Sequence, residues 1–413
     1  MTSVKNIRLI FLPFTVACTL LLCLSNCKKK KEEPVPDNQT SIDTSTQIIT
    51  ADNANIQYSG RIDFTNPAKP TFSAPAVYVT AKFKGTSCRV IFHDEFLYSQ
   101  RNLYQAIIDD TISVKIEPTP LKNIYMIDST LVYGTHTVVF TKRTESGIGR
   151  CQFMGFRFSE ILSPDPKPSR RMQFIGNSIS CGSGNEAANN SSQCSEDSWY
   201  QSGGWGQAYH NGHLSFGPVA ARALDAEYHV TAVSGIGLIR NYSNQYDPRT
   251  LPQVYDRVFL QDSSTNWNPN GYNLNLAWDH SLFIPDVVVI ELGTNDFSPG
   301  DSPRANMDSA TYTPVYISFV NRLRGYFPNA HIVCLSSPML SDGWPNAGDK
   351  NATNQKKSIA GVEQYFNNNG DTRVHKFYVT KLNGGGCGTH PSAAQDQFLA
   401  DELAAYIRTI TGW

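Results

Sequence analysis

The chain has 413 residues, of which 40% are hydrophobic and 17% charged, with a formal net charge of -1. That length supplies two domains with buried cores, and the balance excludes wholesale disorder. The near-zero charge argues against nucleic acid or an acidic polymer as partner and suits an uncharged substrate.

The first elements are targeting signals. Lys5 and Arg8 precede an apolar stretch, Leu9 to Leu24, that Pro13 interrupts. It is too short and broken for a comfortable membrane span and reads as a secretory signal. Leu24-Ser25-Asn26-Cys27 resembles the bacterial lipobox, whose cysteine is acylated and becomes the new N-terminus. The resemblance implies export and attachment to the cell envelope through lipid on Cys27, at the outer membrane on its periplasmic or surface face. Residues 28–46 carry a Lys/Glu run followed by Pro, Ser, Thr and Asn, which cannot bury a core and form a flexible tether.

Residues 47–165 alternate with a period of two. Val77, Val79, Ala81 and Phe83 form one such set, Cys88, Val90 and Phe92 another, and Ile112, Val114 and Ile116 a third. Further runs fall at 137–141 and 152–158, with Gly, Asp, Pro and Ser breaks between them. This pattern predicts an antiparallel, jelly-roll-like β-sandwich, closed by Pro164, Pro166 and Pro168.

From about residue 170 to 413 strands and helices alternate, which predicts an α/β domain: an open parallel sheet with helices on both faces. Strands are expected at 172–175, 227–233, 286–292, 331–335 and 374–379, and helices at 216–224, around Val315-Phe319-Leu323-Phe327, at about 354–366, and from Ser392. In such sheets the active site lies at the carboxyl ends of the strands.

Residues with chemistry fall there. Gly176-Asn177-Ser178 follows the first strand, Ser234-Gly235-Ile236-Gly237 the second, Gly293-Thr294-Asn295-Asp296 the Val-Val-Val-Ile strand, and Gly388-Thr389-His390-Pro391 precedes the last helix. A serine on a loop leaving a central strand has an exposed hydroxyl close to backbone donors, as a nucleophile requires. The run is not the GxSxG elbow, because position 180 is Ser. Together these blocks resemble the SGNH hydrolases, which have a flavodoxin-like sheet and act on esters. The resemblance implies Ser178 as nucleophile, His390 as base, and Gly235 and Asn295 as oxyanion donors, with Gly237 as the alternative to Gly235.

The resemblance narrows to the second family of carbohydrate esterases through the preceding sandwich, Phe174 to Gly182, Leu238-Ile239-Arg240-Asn241, Trp278-Asp279, Pro285-Asp286, the Cys387 to Ser392 run and the terminal Gly412-Trp413. It implies removal of O-acetyl groups from polysaccharides or oligosaccharides of the xylan and glucomannan type, through an acyl-enzyme. Two positions depart from the common SGNH pattern. Asn177 stands where the nucleophile block usually has Asp, and Cys387 stands three residues before His390, where most members have the orienting Asp. A backbone carbonyl can accept an imidazole Nδ1–H and select the same tautomer, and the resemblance implies a Ser-His dyad.

Other features carry less. Trp199, Tyr200 and Trp205, in the polar loop after the nucleophile, suit either sugar packing or partial burial. Trp278 reads as packing, and His93, His136, His229, His280, His331 and His375 read as structural or surface residues. His210-x-x-His213 lacks partners at zinc spacing, so no metal is expected, and Gly235-x-Gly237 lacks a third glycine at Arg240, so no dinucleotide cofactor is expected. Among the cysteines, Cys181–Cys194 and Cys88–Cys151 are candidate disulfides, with other connectivities open. Two competing readings are the same chemistry on a lipid, thioester or cell-wall glycan ester, and a non-catalytic surface glycan-binding lipoprotein.

Overall fold

The computed structural model describes residues 46–95, 102–187, 194, 207–243, 248–260, 273, 275–300 and 304–413. The segment expected to be a signal, Cys27, the expected tether as far as residue 45, and Trp199, Tyr200 and Trp205 lie outside the described residues. No helix of the described residues is long and apolar enough to cross a membrane.

Residues up to the proline run form β1 (Gln47–Thr50), β2 (Gln57–Ser59), β3 (Thr71–Phe72), β4 (Tyr78–Gly85), β5 (Cys88–Asp94), β6 (Tyr104–Ile108), β7 (Ile112–Ile116), β8 (Ile124–Asp128), β9 (Gly134–Lys142), β10 (Cys151–Phe158) and β11 (Glu160–Leu162). They pair into two antiparallel sheets, β1-β10-β5-β8 with β3 beside β10, and β11-β4-β9-β6-β7 with β2 beside β4. In β4 the predicted alternation holds at every step, so Val79, Ala81 and Phe83 point inward. There they share one core with Val90, Phe92, Phe140, Phe153 and Phe156.

The cysteine pairing differs from expectation. Cys151 lies opposite Asp94 on β5, whereas Cys88 begins that strand six residues earlier, a separation of about 20 Å at the rise of a β-strand. No disulfide spans that distance. Cys181 is wholly buried against the parallel sheet, and Cys194 bonds instead to Cys387.

The second half contains β12 (Arg170–Gly176), β13 (Ala226–Ala232), β14 (Val287–Glu291), β15 (His331–Leu335) and β16 (Val374–Phe377). These pair in parallel in the order β13-β12-β14-β15-β16, the 2-1-3-4-5 arrangement of flavodoxin-like sheets. Its helices are α1 (Ser178–Cys181), α2 (Phe216–Ala223), α3 (Leu251–Val254), α4 (Thr294–Phe297), α5 (Ser309–Tyr326), α6 (Asn351–Asn368) and α7 (Ala393–Thr411). Both sheet faces are apolar. Val288, Ile290 and Ile332 meet Tyr316, Val320 and Val362 of α5 and α6. Val287, Val289 and Val333 meet Phe216, Leu399 and Leu403 of α2 and α7. That explains why β14 reads as a continuous apolar run.

The inward stripe of α5 is Tyr312, Tyr316, Phe319, Val320 and Leu323. Val315, expected on that stripe, is 37% exposed. It falls beyond the edge of the arc that Tyr312, Tyr316 and Val320 define at 3.6 residues per turn.

Charged side chains tie the halves together. Arg61, from the turn after β2, is fully buried in the second half, where its guanidinium donates to the carbonyls of Tyr255 and Arg257 and lies 4.8 Å from the Tyr255 ring centroid. Arg150 pairs with Glu95 at 2.9 Å and lies over Phe259. Ser59 and Lys167 both donate to Glu227 of β13. Arg61→Ala leaves two carbonyls short of a donor and opens a void. It is expected to destabilise the protein by about 2–4 kcal/mol, measured as a lowered midpoint in urea denaturation.

Candidate active site

Because the strands are parallel, the segments leaving β12, β13 and β14 emerge at one edge. Ser178 begins the short α1, which Asn177 caps by accepting the Ile179 N–H at 3.0 Å. Its Oγ is 2.7 Å from His390 Nε2. His390 precedes α7, whose N-terminus is fixed by a capping box between Ser392 and Gln395. Gln395 also accepts the Gly385 N–H, holding the turn that carries the histidine.

The geometry assigns the tautomer. His390 Nδ1 is 2.7 Å from the Cys387 carbonyl oxygen, which only accepts, so Nδ1 carries the proton and Nε2 is left to accept from Ser178. Burial lowers the His390 pKa below the ordinary histidine value, partly offset by the hydrogen bond to Cys387. The ring is therefore neutral, the form a general base requires.

The Cys387 carbonyl is held from several sides. Cys387 N–H donates to Gly184 O at 3.0 Å, and the disulfide to Cys194 spans a Cα–Cα distance of 5.7 Å. Gly388 (φ 59) and Thr389 (φ 64) are both left-handed, which curls the chain so that the imidazole comes back over the carbonyl. Thr389 is β-branched, and this conformation costs it about 1–3 kcal/mol.

Gly235 (φ 76) and Asn295 lie on the neighbouring turns. Asn295 spends one amide hydrogen on Ile236 O at 2.8 Å, which leaves the other for a ligand. Gly237 N–H is already donated to Asn241 Oδ1 at 3.0 Å, whereas among the described residues Gly235 N–H has no acceptor. Of the two glycines, Gly235 is the one with a donor to offer.

Three supporting residues were given no role from the sequence. Buried Asp296 accepts the N–H groups of Leu238, Ile239 and Arg240 at 3.0, 2.7 and 3.0 Å and so clamps the loop after Gly235. Burial raises its pKa, and those three donors oppose the rise. Glu291 accepts from Asn177 Nδ2 and Thr294 Oγ1, and burial pushes its pKa up to about 8. This gives Asn177 a physical reason, since an amide donates to the neighbouring carboxyl where an aspartate would oppose it. Tyr242, 39% exposed, stands beside Gly235. Only Asp296 had a sequence signal, its position directly after Asn295.

Asp296→Asn replaces an acceptor with an amide facing buried N–H groups. It is expected to lower kcat for p-nitrophenyl acetate by about tenfold or more, with the melting temperature recorded alongside.

Comparisons with known proteins agree with this architecture. Residues 58–168 match the family model "Carbohydrate esterase 2 N-terminal". The chain is 30% identical over 382 residues to an acetylxylan esterase / glucomannan deacetylase of Cellvibrio japonicus, covering 89% of this chain and 95% of that one. It is 31% identical over 376 residues to the cellulase/esterase CelE of Acetivibrio thermocellus, covering 89% of this chain but only 41% of that longer protein. A family two carbohydrate esterase from Clostridium thermocellum, solved in complex with cellohexaose, superposes with a TM-score of 0.72 at 29% identity, covering 87% of this chain and 99% of that one. The chain belongs to carbohydrate esterase family 2 and is a carboxylic ester hydrolase of the SGNH class.

Proposed function

We propose that this protein removes O-acetyl groups from polysaccharides or oligosaccharides of the xylan and glucomannan type through a Ser178–His390 dyad. The observation that carries the reading is the 2.7 Å approach of Ser178 Oγ to His390 Nε2, with Nδ1 committed to the Cys387 carbonyl. His390 takes the Ser178 proton as Oγ bonds to the acetyl carbonyl carbon. The oxyanion that forms is held by the N–H groups of Ser178 and Gly235 and the Asn295 amide. Collapse breaks the ester bond, and the departing sugar oxygen takes the proton from His390. Water then attacks the acetyl-enzyme with His390 as base, releasing acetate and restoring Ser178. The names of the Cellvibrio relatives support the substrate class. We further propose that residues 1–27 are a lipoprotein signal, that lipid on Cys27 anchors the protein at the cell envelope, and that residues 28–46 form the tether.

The test is acetate release from acetylated xylan and glucomannan, beside p-nitrophenyl acetate hydrolysis, by a soluble form starting near Thr46. Ser178→Ala is expected to lose more than about a thousandfold in kcat. Asn295→Ala is expected to lose about a hundred- to a thousandfold. Hydrolysis of the small ester alone would keep the mechanism and overturn the plant-wall substrate.

The pH profile has a fixed direction. The base works only when unprotonated, and burial depresses the His390 pKa. Activity (kcat/KM) is thus expected to be flat at neutral pH and to fall on acidification with a midpoint below about 6.5, the ordinary histidine value. A midpoint above that value would contradict the assignment.

A further inference from the structure

Glu145, between β9 and β10, belongs to the sandwich by sequence but to the active site by contact. Its carboxylate Oε2 accepts the N–H of Ser234, the residue before Gly235, at 2.7 Å. Its Oε1 faces His210 Nε2 at 3.7 Å, an electrostatic contact longer than a hydrogen bond. His210 Nδ1 accepts the Gly184 N–H at 2.9 Å, so the neutral ring carries its proton on Nε2 and points it at Glu145. Gly184 O in turn accepts the N–H of Cys387, whose carbonyl holds His390. One carboxylate thus reaches both the oxyanion turn and the partner of the base.

We propose that Glu145 is a positioning residue of the esterase site, aligning the Gly235 turn directly and the His390 turn through His210 and Gly184. This rests on the esterase reading given above. The carboxylate is buried, yet its pKa is held below the usual glutamate value despite desolvation, by His210 and the Ser234 N–H. It is therefore anionic, and its charge raises the His390 pKa. In a dyad with Cys387 in place of the usual carboxylate, Glu145 supplies negative charge that favours the imidazolium as Ser178 attacks. The other titratable groups facing Glu145 are Lys142, whose ammonium donates to the Glu145 carbonyl at 2.9 Å, and Cys181.

The experiment compares the soluble protein with Glu145→Gln, which keeps size and one acceptor but removes charge, and Glu145→Ala. Readouts are kcat and KM for p-nitrophenyl acetate, melting temperature, and the His390 titration followed by NMR. Expected for Glu145→Gln is a kcat loss of roughly tenfold with KM little changed, and a His390 titration moved to lower pH. Glu145→Ala should lose more. The proposal is overturned if Glu145→Gln retains the parent kcat and titration. It is also overturned if kcat falls only in step with melting temperature while the His390 titration stays put. A parent protein without Ser178-dependent turnover would sink the esterase reading itself, and the NMR titration would still decide whether Glu145 sets the His390 base.

Discussion

The active site depends on one hydrogen bond, from His390 Nδ1–H to the carbonyl of Cys387. A side-chain carboxylate in that place would bring its own charge and its own rotamers. A backbone carbonyl brings neither, so its direction is only as good as the turn that holds it. The structure invests in that turn: two left-handed residues, a disulfide to Cys194, a hydrogen bond to Gly184 and a capped helix behind it. Each removes a way for the peptide to rotate, and the neutral tautomer of His390 follows from its being fixed.

The same economy of charge appears beneath Ser178. Asn177 caps α1 with its oxygen and donates to Glu291 with its nitrogen, and Glu291 is raised toward its protonated form by burial. Two adjacent carboxylates here would repel, and a neutral pair avoids that. The charge near the Gly235 and Asn295 turns lies further out: Asp296 satisfied by three backbone donors, and Glu145 facing His210. Buried carboxylates are tolerated where hydrogen bonds replace the water they lose.

Much of this was legible in the sequence, for physical reasons. Period-two runs such as Val79-Ala81-Phe83 and the unbroken Val287–Ile290 run report burial on one face or two, and both read correctly. Ser178, Gly235, Asn295 and His390 fall directly after or before regular elements, so their convergence follows from parallel topology. Position along a helix face was less certain, as Val315 shows, since a residue at the edge of a stripe satisfies the spacing without being buried. The disulfide was illegible because it joins Cys194 to a residue 193 positions away. Glu145 and His210 were illegible for a related reason: their partners come from other elements, and His210 drew notice only as half of a pair at zinc spacing.

The way the halves are joined bears on how such a protein can change over time. Modular enzymes exchange domains when their boundary is a wet, forgiving surface. Here Arg61 is sunk among Tyr255 and Trp278, and Glu145 binds a backbone N–H one residue from Gly235. A hydrolase half recombined with a foreign sandwich would inherit an empty guanidinium slot and a loosened Gly235 turn. The heritable unit is thus the pair, and shuffling is free only outside it.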